Sequence, residues 1–209
     1  MTGRSGAKAQ ATRARILEAA GRELARDPDS SLGDIAEAAG VARRTLYGHF
    51  AGRAELVQGL VADAGAAVRR ASAAARAPTP DAVTALARFV LTLWPVGDRY
   101  RTLIALGPRD LDPDGVGTLL GPARDTVAGI LAHGQRQGVF HTAVPPVPLT
   151  RALEAHLLSL LDSVTSGHWT DDGTAAATAA LIAVGVGADL ATTTVHRLGC
   201  GTGPVQPPR

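Results

Sequence analysis

The sequence contains a single cysteine, Cys200, and aromatic residues make up only 3% of its 209 positions. One cysteine excludes an internal disulfide framework and a zinc site built from cysteines. Hydrophobic residues form 45% of the chain, so the core must consist mostly of alanine, leucine and valine. Alanine and leucine favour helices, and no stretch alternates cleanly with the period of two that is typical of strands. The composition therefore predicts an all-α protein.

Long apolar runs are also absent. No stretch of about twenty uninterrupted apolar residues occurs, so no membrane-spanning helix is predicted. The first residues lack the apolar run of a signal peptide. We therefore expect a cytoplasmic protein without a membrane partner.

The motifs of several enzyme classes are missing as well. The histidines form no HxxxH or HExxH pair, and the chain has neither a P-loop nor a GxSxG elbow. Asp110, Asp112 and Asp114 resemble the start of a calcium loop, but the glycine and glutamate spacing of an EF-hand is missing. We predict no enzymatic activity, no metal site and no cofactor.

Positive charge is concentrated near the beginning of the chain. Residues 1–60 contain nine Lys or Arg and seven Asp or Glu, whereas the remainder contains twelve of each. The first positive charges, which include Arg4, Lys8 and Arg13, precede any acidic residue. A basic arm before a neutral body is common in nucleic-acid-binding proteins, although an ordinary solvated tail has the same composition. We expect residues 1–11 to form a disordered basic arm.

A helix-turn-helix pattern follows the arm. A first helix is predicted from Thr12, whose hydroxyl suits an N-cap. Ser31 and Asp34 match a capping box at the start of a second helix, with Asp in place of the usual Glu. Gly40 suits a left-handed turn, and a third, short helix is predicted over about 42–50. Two short helices joined by a glycine-containing turn are typical of DNA-binding domains.

The segments TRARILEAA at 12–20 and SLGDIAEAAGVARRTLYGHFAGRAELV at 31–57 resemble the TetR family of bacterial transcription regulators. The resemblance implies a three-helix DNA-binding domain over 12–58 and a helical ligand-binding and dimerisation domain over 59–198. A disordered tail is expected over 199–209. The resemblance also implies a homodimer that represses transcription and leaves a palindromic, double-stranded operator when a small-molecule effector binds. The alternative is a ligand-independent regulator or an architectural DNA-binding protein.

The third helix of such a domain enters the major groove with its N-terminal residues facing the bases. Arg43 and Arg44 stand there, and arginine can pair with guanine, although both could instead contact only phosphates. Tyr47 is predicted to donate to a phosphate, with a packing role as the alternative, and Leu46 and Phe50 are predicted core residues. The other candidate DNA contacts are Ser31, Ala42, Thr45, His49, Arg53, Arg4, Lys8 and Arg13.

Two positions depart from the family pattern in ways that weaken this helix. Ala42 stands where a hydroxyl residue is common, so the helix lacks an N-cap side chain. Gly48 costs about 1 kcal/mol relative to alanine in a helix interior. We therefore expect the helix to become stably ordered only when it binds DNA.

Five further helices are predicted at about 81–95, 98–107, 116–138, 149–167 and 174–198. The last two are the candidate dimer seam, because one carries a broad leucine stripe and the other is dense in alanine and glycine; the alternative is a buried intramolecular position. By family resemblance, the middle helices surround a pocket for an uncharged, apolar or mixed-polarity effector. The candidate lining residues, each of which could instead be plain core, are Phe89, Leu93, Trp94, Tyr100, Leu103, Leu106, Ile130, His133 and His156.

Overall fold

The structure, a computed structural model, describes residues 2–76, 79, 81–110 and 113–200. All regular elements in these ranges are α-helices, so the predicted all-α class is confirmed. None of the helices there is both long and apolar enough to cross a membrane. The elements are α1 (Thr2–Arg26), α2 (Leu32–Ala38), α3 (Arg43–His49), α4 (Arg53–Ala75), α5 (Ala82–Asp110), α6 (Pro113–Arg136), α7 (Pro146–Thr165), α8 (Thr174–Ala183) and α9 (Ala188–Cys200).

The described residues divide into two compact units. The first unit comes from the described parts of residues 1–66 and 99–119, and the second from the described parts of 67–98 and 120–209. Helices α4, α5 and α6 each contribute residues to both units. The domain boundary predicted at residue 58 therefore falls inside α4.

The first unit is organised around one hydrophobic core. Ile16 of α1, Ile35 of α2 and Leu46 of α3 are fully buried in it, together with Phe50. Leu103 of α5 joins the same cluster. Burial of each large side chain contributes roughly 1.5–3 kcal/mol. These contacts hold α3 by its inner face and leave its outer face in solvent.

The local signals at α2 and α3 are confirmed. The Ser31 hydroxyl oxygen accepts a hydrogen bond from the Asp34 backbone N–H at 3.2 Å, and the Asp34 carboxylate accepts one from the Ser31 N–H at 2.9 Å. This reciprocal pair is the predicted capping box. Gly40 makes the turn with a φ of 63°, and Ala42 precedes α3 without a side-chain cap.

The prediction for the start of α1 was wrong. The helix begins at Thr2, so the arm expected to be disordered is helical from there on. Thr12 is not its N-cap, because its hydroxyl donates to the Lys8 carbonyl at 3.0 Å inside the helix. Alanine, lysine, glutamine and arginine between residues 7 and 15 are strong helix formers, and they extend α1 towards the N-terminus.

Two helix boundaries later in the chain also differ from the predictions. The stretches at 81–95 and 98–107 form the single helix α5, which continues through Pro95. The stretch at 174–198 is divided into α8 and α9, because Gly185 has a φ of 99° that a right-handed helix does not allow. Helix α9 then includes the first two residues of the predicted tail, and 201–209 lie outside the described residues.

Candidate nucleic-acid interface and ligand cavity

Helix α3 has one buried face and one exposed face. Leu46 is fully buried, and Phe50 is fully buried just after the helix ends. On the outer face, Arg43 and Arg44 are exposed in the first turn, and Tyr47 is 54% exposed. The exposure of Tyr47 favours a contact role over the alternative packing role. Two guanidinium groups and one phenol are therefore available on this face.

The side chain of Arg43 lies against α2. A Cβ atom built on Gly33 would be 2.8 Å from Arg43 Nη2, 3.0 Å from Cζ and 3.1 Å from Nε. The guanidinium thus covers the backbone of Gly33. Within the described residues, Arg43 makes no hydrogen bond or ion pair, so its N–H donors face solvent.

Ser31 and Asp34 form hydrogen bonds with each other at the beginning of α2. Besides the capping box, the Ser31 hydroxyl donates to the Asp34 carboxylate at 2.7 Å. Hydrogen bonds from the Ser31 side chain and backbone, assisted by the positive charge of Arg43, hold the pKa of Asp34 below its ordinary 3.8. Ser31 therefore acts as a cap in the structure, and its contact with DNA stays a prediction.

Arg53 begins α4 and binds the loop between α1 and α2. Its Nη2 donates to the Pro28 carbonyl at 2.6 Å, and its Nη1 donates to the Ser30 carbonyl at 3.3 Å. The turn between α3 and α4 is closed by Glu55, whose carboxylate accepts from the Ala51 N–H at 2.6 Å. Arg53 thus has a structural role that the sequence did not indicate, and its DNA contact stays a prediction.

The remaining candidate DNA contacts in α3 and at its N-terminus differ in solvent exposure. Ala42 is exposed, while Thr45 and His49 are half-buried. The His49 ring lies 6.5 Å from the Phe50 ring, measured between centroids. The hydroxyl and imidazole groups are therefore partly accessible beside the more exposed arginines.

The basic residues of the predicted arm lie on α1. Lys8 is exposed, and the side chain of Arg4 lies outside the described part of the structure. Arg13 is half-buried, with its guanidinium carbon 4.9 Å from the centre of the Phe50 ring. This cation–π contact places Arg13 against the core of the first unit, so its DNA contact stays a prediction.

A separate cavity of about 90 Å³ lies within the second unit. Side chains of α5, α6 and α7 form its wall, and all of them are apolar except Arg124, Thr150 and Glu154. Phe89 and Leu93, both predicted pocket residues, line it. The cavity thus has the apolar wall that an uncharged ligand requires.

Arg124 and Glu154 form a bidentate ion pair in the cavity wall. Arg124 Nε lies 2.5 Å from Glu154 Oε2, and Arg124 Nη2 lies 2.7 Å from Oε1. The two side chains are only 17% and 20% exposed. The hydrogen bonds to Glu154 raise the pKa of Arg124, against the opposing effect of burial. The wall therefore carries two charges that neutralise each other.

Most of the other predicted pocket residues lie elsewhere. Trp94 donates from Nε1 to the Asp171 carbonyl at 3.2 Å and packs edge-on against Trp169, with 6.4 Å between ring centroids. Leu103 is buried in the core of the first unit and Tyr100 packs against that core, so neither belongs to the cavity. The side chain of Leu106 lies outside the described ones. The cavity wall also lacks three other predicted pocket residues, namely Ile130 and His156, which are half-buried, and His133, which is exposed.

The charged pair was missed because it is formed between helices. Arg124 and Glu154 are 30 positions apart, and each resembles an ordinary surface charge in its own helix. Asp125 directly follows Arg124, and Arg151 lies three residues before Glu154, so the sequence around each residue does not mark the pair. In the described ranges, no cluster of three or more His, Cys, Asp or Glu side chains could hold a metal ion.

Residues 16–60, which include the whole of α2 and α3, match the family model described as "Bacterial regulatory proteins, tetR family". This range contains the buried residues that hold α3 and the arginines that it exposes. Residues 16–60 are therefore similar to the TetR family. The resemblance inferred from the two sequence segments is thereby confirmed for this domain.

Two curated transcription regulators are similar to a part of the chain. They are the HTH-type transcriptional regulator TtgR and the probable HTH-type transcriptional regulator ArpR, both of Pseudomonas putida. Each is 48% identical over 63 residues, which is 29% of this chain and 30% of the relative. The chain thus matches less than a third of the length of these relatives.

Three solved structures, two of which are described as TetR family proteins, are similar over most of the chain. CprB from S. coelicolor A3(2) has a TM-score of 0.75 at 19% identity, covering 93% of this chain and 100% of that one. PfmR from Thermus thermophilus has a TM-score of 0.65 at 23% identity, covering 82% and 95%. RolR in complex with resorcinol has a TM-score of 0.56 at 22% identity, covering 92% and 96%. The likeness establishes a TetR-like fold.

Proposed function

We propose that this protein is a homodimeric transcription regulator that binds a palindromic operator and acts as a repressor. The observation that carries the proposal is the outer face of α3, where Arg43 and Arg44 are exposed without hydrogen-bond or ion-pair partners in the described part. Arginine can read guanine in the major groove and can also neutralise phosphates. The TetR match over residues 16–60 supports the same assignment.

The DNA-binding step is tested by selecting fragments from a random-sequence DNA library with the full chain. The selected duplex is then titrated by fluorescence anisotropy. Replacing Arg43 and Arg44 together by alanine should weaken binding by tenfold or more, at about 1–3 kcal/mol for each base contact. The matched control is the adjacent pair Arg69 and Arg70, exposed on α4, where the same double change should have little effect. Equal loss in both variants would contradict the assignment.

We propose that α7, α8 and α9 form the dimer seam. One helix-turn-helix reads few base pairs, so two copies on a palindrome are needed for useful specificity. Ile182 on α8 is 47% exposed and Leu190 on α9 is 55% exposed, which are high values for large apolar side chains. A second copy of this chain would cover these side chains.

Sedimentation of the full chain at micromolar concentration tests the seam. Replacing Ile182 and Leu190 by aspartate should convert the dimer to a monomer, because charges would be buried without partners. Val139, 38% exposed in the loop after α6, provides a control in which aspartate should leave the dimer intact. A wild-type protein that is monomeric would contradict both the seam and the operator model.

We propose that the cavity in the second unit accepts an uncharged, largely apolar effector. Its apolar wall and the mutual neutralisation of Arg124 and Glu154 support this ligand class, and RolR, a structure of similar fold, was solved with resorcinol. An effector lowers operator affinity if it binds better to the conformer whose recognition helices do not fit the half-site spacing.

Thermal unfolding with a panel of small molecules distinguishes this regulator from a ligand-independent one. A ligand at 100 times its Kd stabilises the folded state by about 2.7 kcal/mol. Filling the cavity with Ala123→Leu should abolish the shift caused by neutral compounds while operator binding is retained. If every compound that shifts the wild type shifts the filled variant equally, this cavity is not the effector site.

A further inference from the structure

Gly33 and Arg43 are in unusually close contact at the outer edge of the first unit. The hypothetical Cβ of residue 33 would be 2.8–3.1 Å from three bonded atoms of the guanidinium, namely Nη2, Cζ and Nε. Nearly equal distances to three atoms of one plane mean that the flat side of the guanidinium covers Gly33. Arg43 can occupy this position only because residue 33 has no side chain.

The contact holds Arg43 without using its hydrogen-bond donors. Arg43 makes no hydrogen bond or ion pair with any described residue, in contrast to Arg53, which donates to the Pro28 and Ser30 carbonyls. Asp34 attracts Arg43 electrostatically, but its carboxylate oxygen is already bound to Ser31. Arg43 is therefore oriented by shape and charge while its N–H groups remain available for an acceptor outside the protein.

We propose that Gly33 is a positioning residue that determines operator specificity, because it sets the place from which the guanidinium of Arg43 contacts DNA. This inference rests on the proposed DNA-binding function. A free arginine side chain loses rotamer entropy when it binds, and an arginine that already lies in one orientation loses less of it. Any larger residue at position 33 would move the guanidinium to another part of the α3 surface.

Gly33→Ala is a mild change for the fold. The atoms that its methyl group would displace are at the far end of a flexible side chain, so Arg43 can move without a shift of the backbone. Alanine also has a higher helix propensity than glycine. The variant should therefore fold as well as the wild type and differ from it in the position of Arg43.

The experiment is a double-mutant cycle with the full chain. Duplex DNA is first selected from a random library by the wild type, and affinities for that duplex are measured by anisotropy for Gly33→Ala, Arg43→Ala and the double variant. The expected result is about threefold to tenfold weaker binding for Gly33→Ala, a part of what one bidentate base contact provides, and no further loss when it is added to Arg43→Ala. Repeated selection with Gly33→Ala should give relaxed preference at one or two base pairs of each half-site.

The matched control is Gly21→Ala in α1, where a Cβ would meet nothing within 4 Å and binding should not change. Wild-type affinity or higher in Gly33→Ala, or an equal loss in the wild-type and Arg43→Ala backgrounds, would overturn the role of Gly33 while leaving the DNA-binding function intact. If the wild type enriches no sequence at all, the proposed function itself fails, and this inference fails with it.

Discussion

At the scale of single residues, the capping box links the fold of α2 to the charge of the interface. Asp34 accepts from the Ser31 backbone and hydroxyl, and Arg43 lies close enough to favour its ionised form. Because the pKa of Asp34 is lowered in the folded state, its contribution to stability is present above the unfolded value of 3.8. The contribution is lost as pH falls through the folded pKa.

We therefore expect Asp34→Asn to destabilise the protein at neutral pH and to lose this effect in acid. The comparison is the urea midpoint of the wild type and of the variant, measured between pH 7 and pH 2. The difference should shrink below pH 4, because the protonated wild-type carboxyl no longer differs in charge from the amide. A difference that stays constant down to pH 2 would mean that the charge of Asp34 makes no contribution.

Arg53 gives a second prediction at this scale. Arg53→Lys keeps the charge but loses the fork that reaches both the Pro28 and Ser30 carbonyls, so unfolding should become easier by about 1 kcal/mol. Arg22→Lys, in an exposed pair with Glu18, serves as the control, with a change below about 0.5 kcal/mol.

The DNA contact predicted for Arg53 can be measured separately from its effect on stability. In Arg53→Ala, the slope of log affinity against log salt should fall by about 1 if one phosphate is neutralised by this residue. A lower stability with an unchanged salt slope would leave Arg53 with a structural role alone.

At the scale of elements, the turn between α8 and α9 depends on one glycine. Gly185 has a φ of 99°, and a Cβ there would lie 3.3 Å from both Cβ and the backbone nitrogen of His141. The same loop is held by the His141 N–H, which donates to the Val184 carbonyl at 3.0 Å. Backbone conformation and packing therefore both require glycine at this position.

Gly185→Ala should destabilise the second unit by about 1–2 kcal/mol, because an L-residue is strained at positive φ. Gly129, exposed inside α6 with nothing within 4 Å of a built Cβ, is the matched position. There, Gly129→Ala should stabilise by roughly 0.5–1 kcal/mol, as expected for a helix interior. Chemical denaturation of both variants measures the change in unfolding free energy, which should be negative for Gly185→Ala and positive for Gly129→Ala. Equal changes would show that the positive φ at residue 185 does not determine the stability of that variant.

Two features of α3 have opposite effects on its stability in the absence of DNA, which is expected to be low. Its N-cap, Ala42, makes no side-chain hydrogen bond, yet Leu46 and Phe50 anchor it in the core. Amide exchange over residues 43–49 should slow when the selected operator duplex is added. Equally slow exchange in the free and bound protein would mean that the core contacts alone are sufficient to hold the helix.

At the scale of the whole molecule, the ion pair in the cavity wall makes the ligand class testable. Glu154 neutralises the positive charge of Arg124. A carboxylate ligand therefore gains little electrostatic attraction in the wild-type cavity. In Glu154→Gln, benzoate should bind measurably better than to the wild type, while benzyl alcohol should change little. Calorimetry measures both, and replacing Arg124 and Glu154 together by methionine is the control in which benzoate binding is lost again. Benzoate affinity that does not rise in Glu154→Gln would contradict this account of the pair.

Local patterns in the sequence were sufficient for much of the first unit. The capping box, the left-handed turn at Gly40 and the burial of Leu46 and Phe50 follow from interactions within a few residues, or from apolar spacing along one helix. The TetR resemblance depends on the same spacings. Helix content was predictable for the same reason, because helix propensity and periodicity are local properties.

Other features were decided only by the tertiary structure. Arg53 binds a loop 25 positions away in sequence, Arg43 lies on a glycine of another helix, and Glu154 neutralises a charge on α6. Tyr100 and Leu103, predicted to line a pocket, join the core of the first unit instead. A sequence pattern identifies which residues are apolar or charged, but the partner of each side chain depends on how the helices pack.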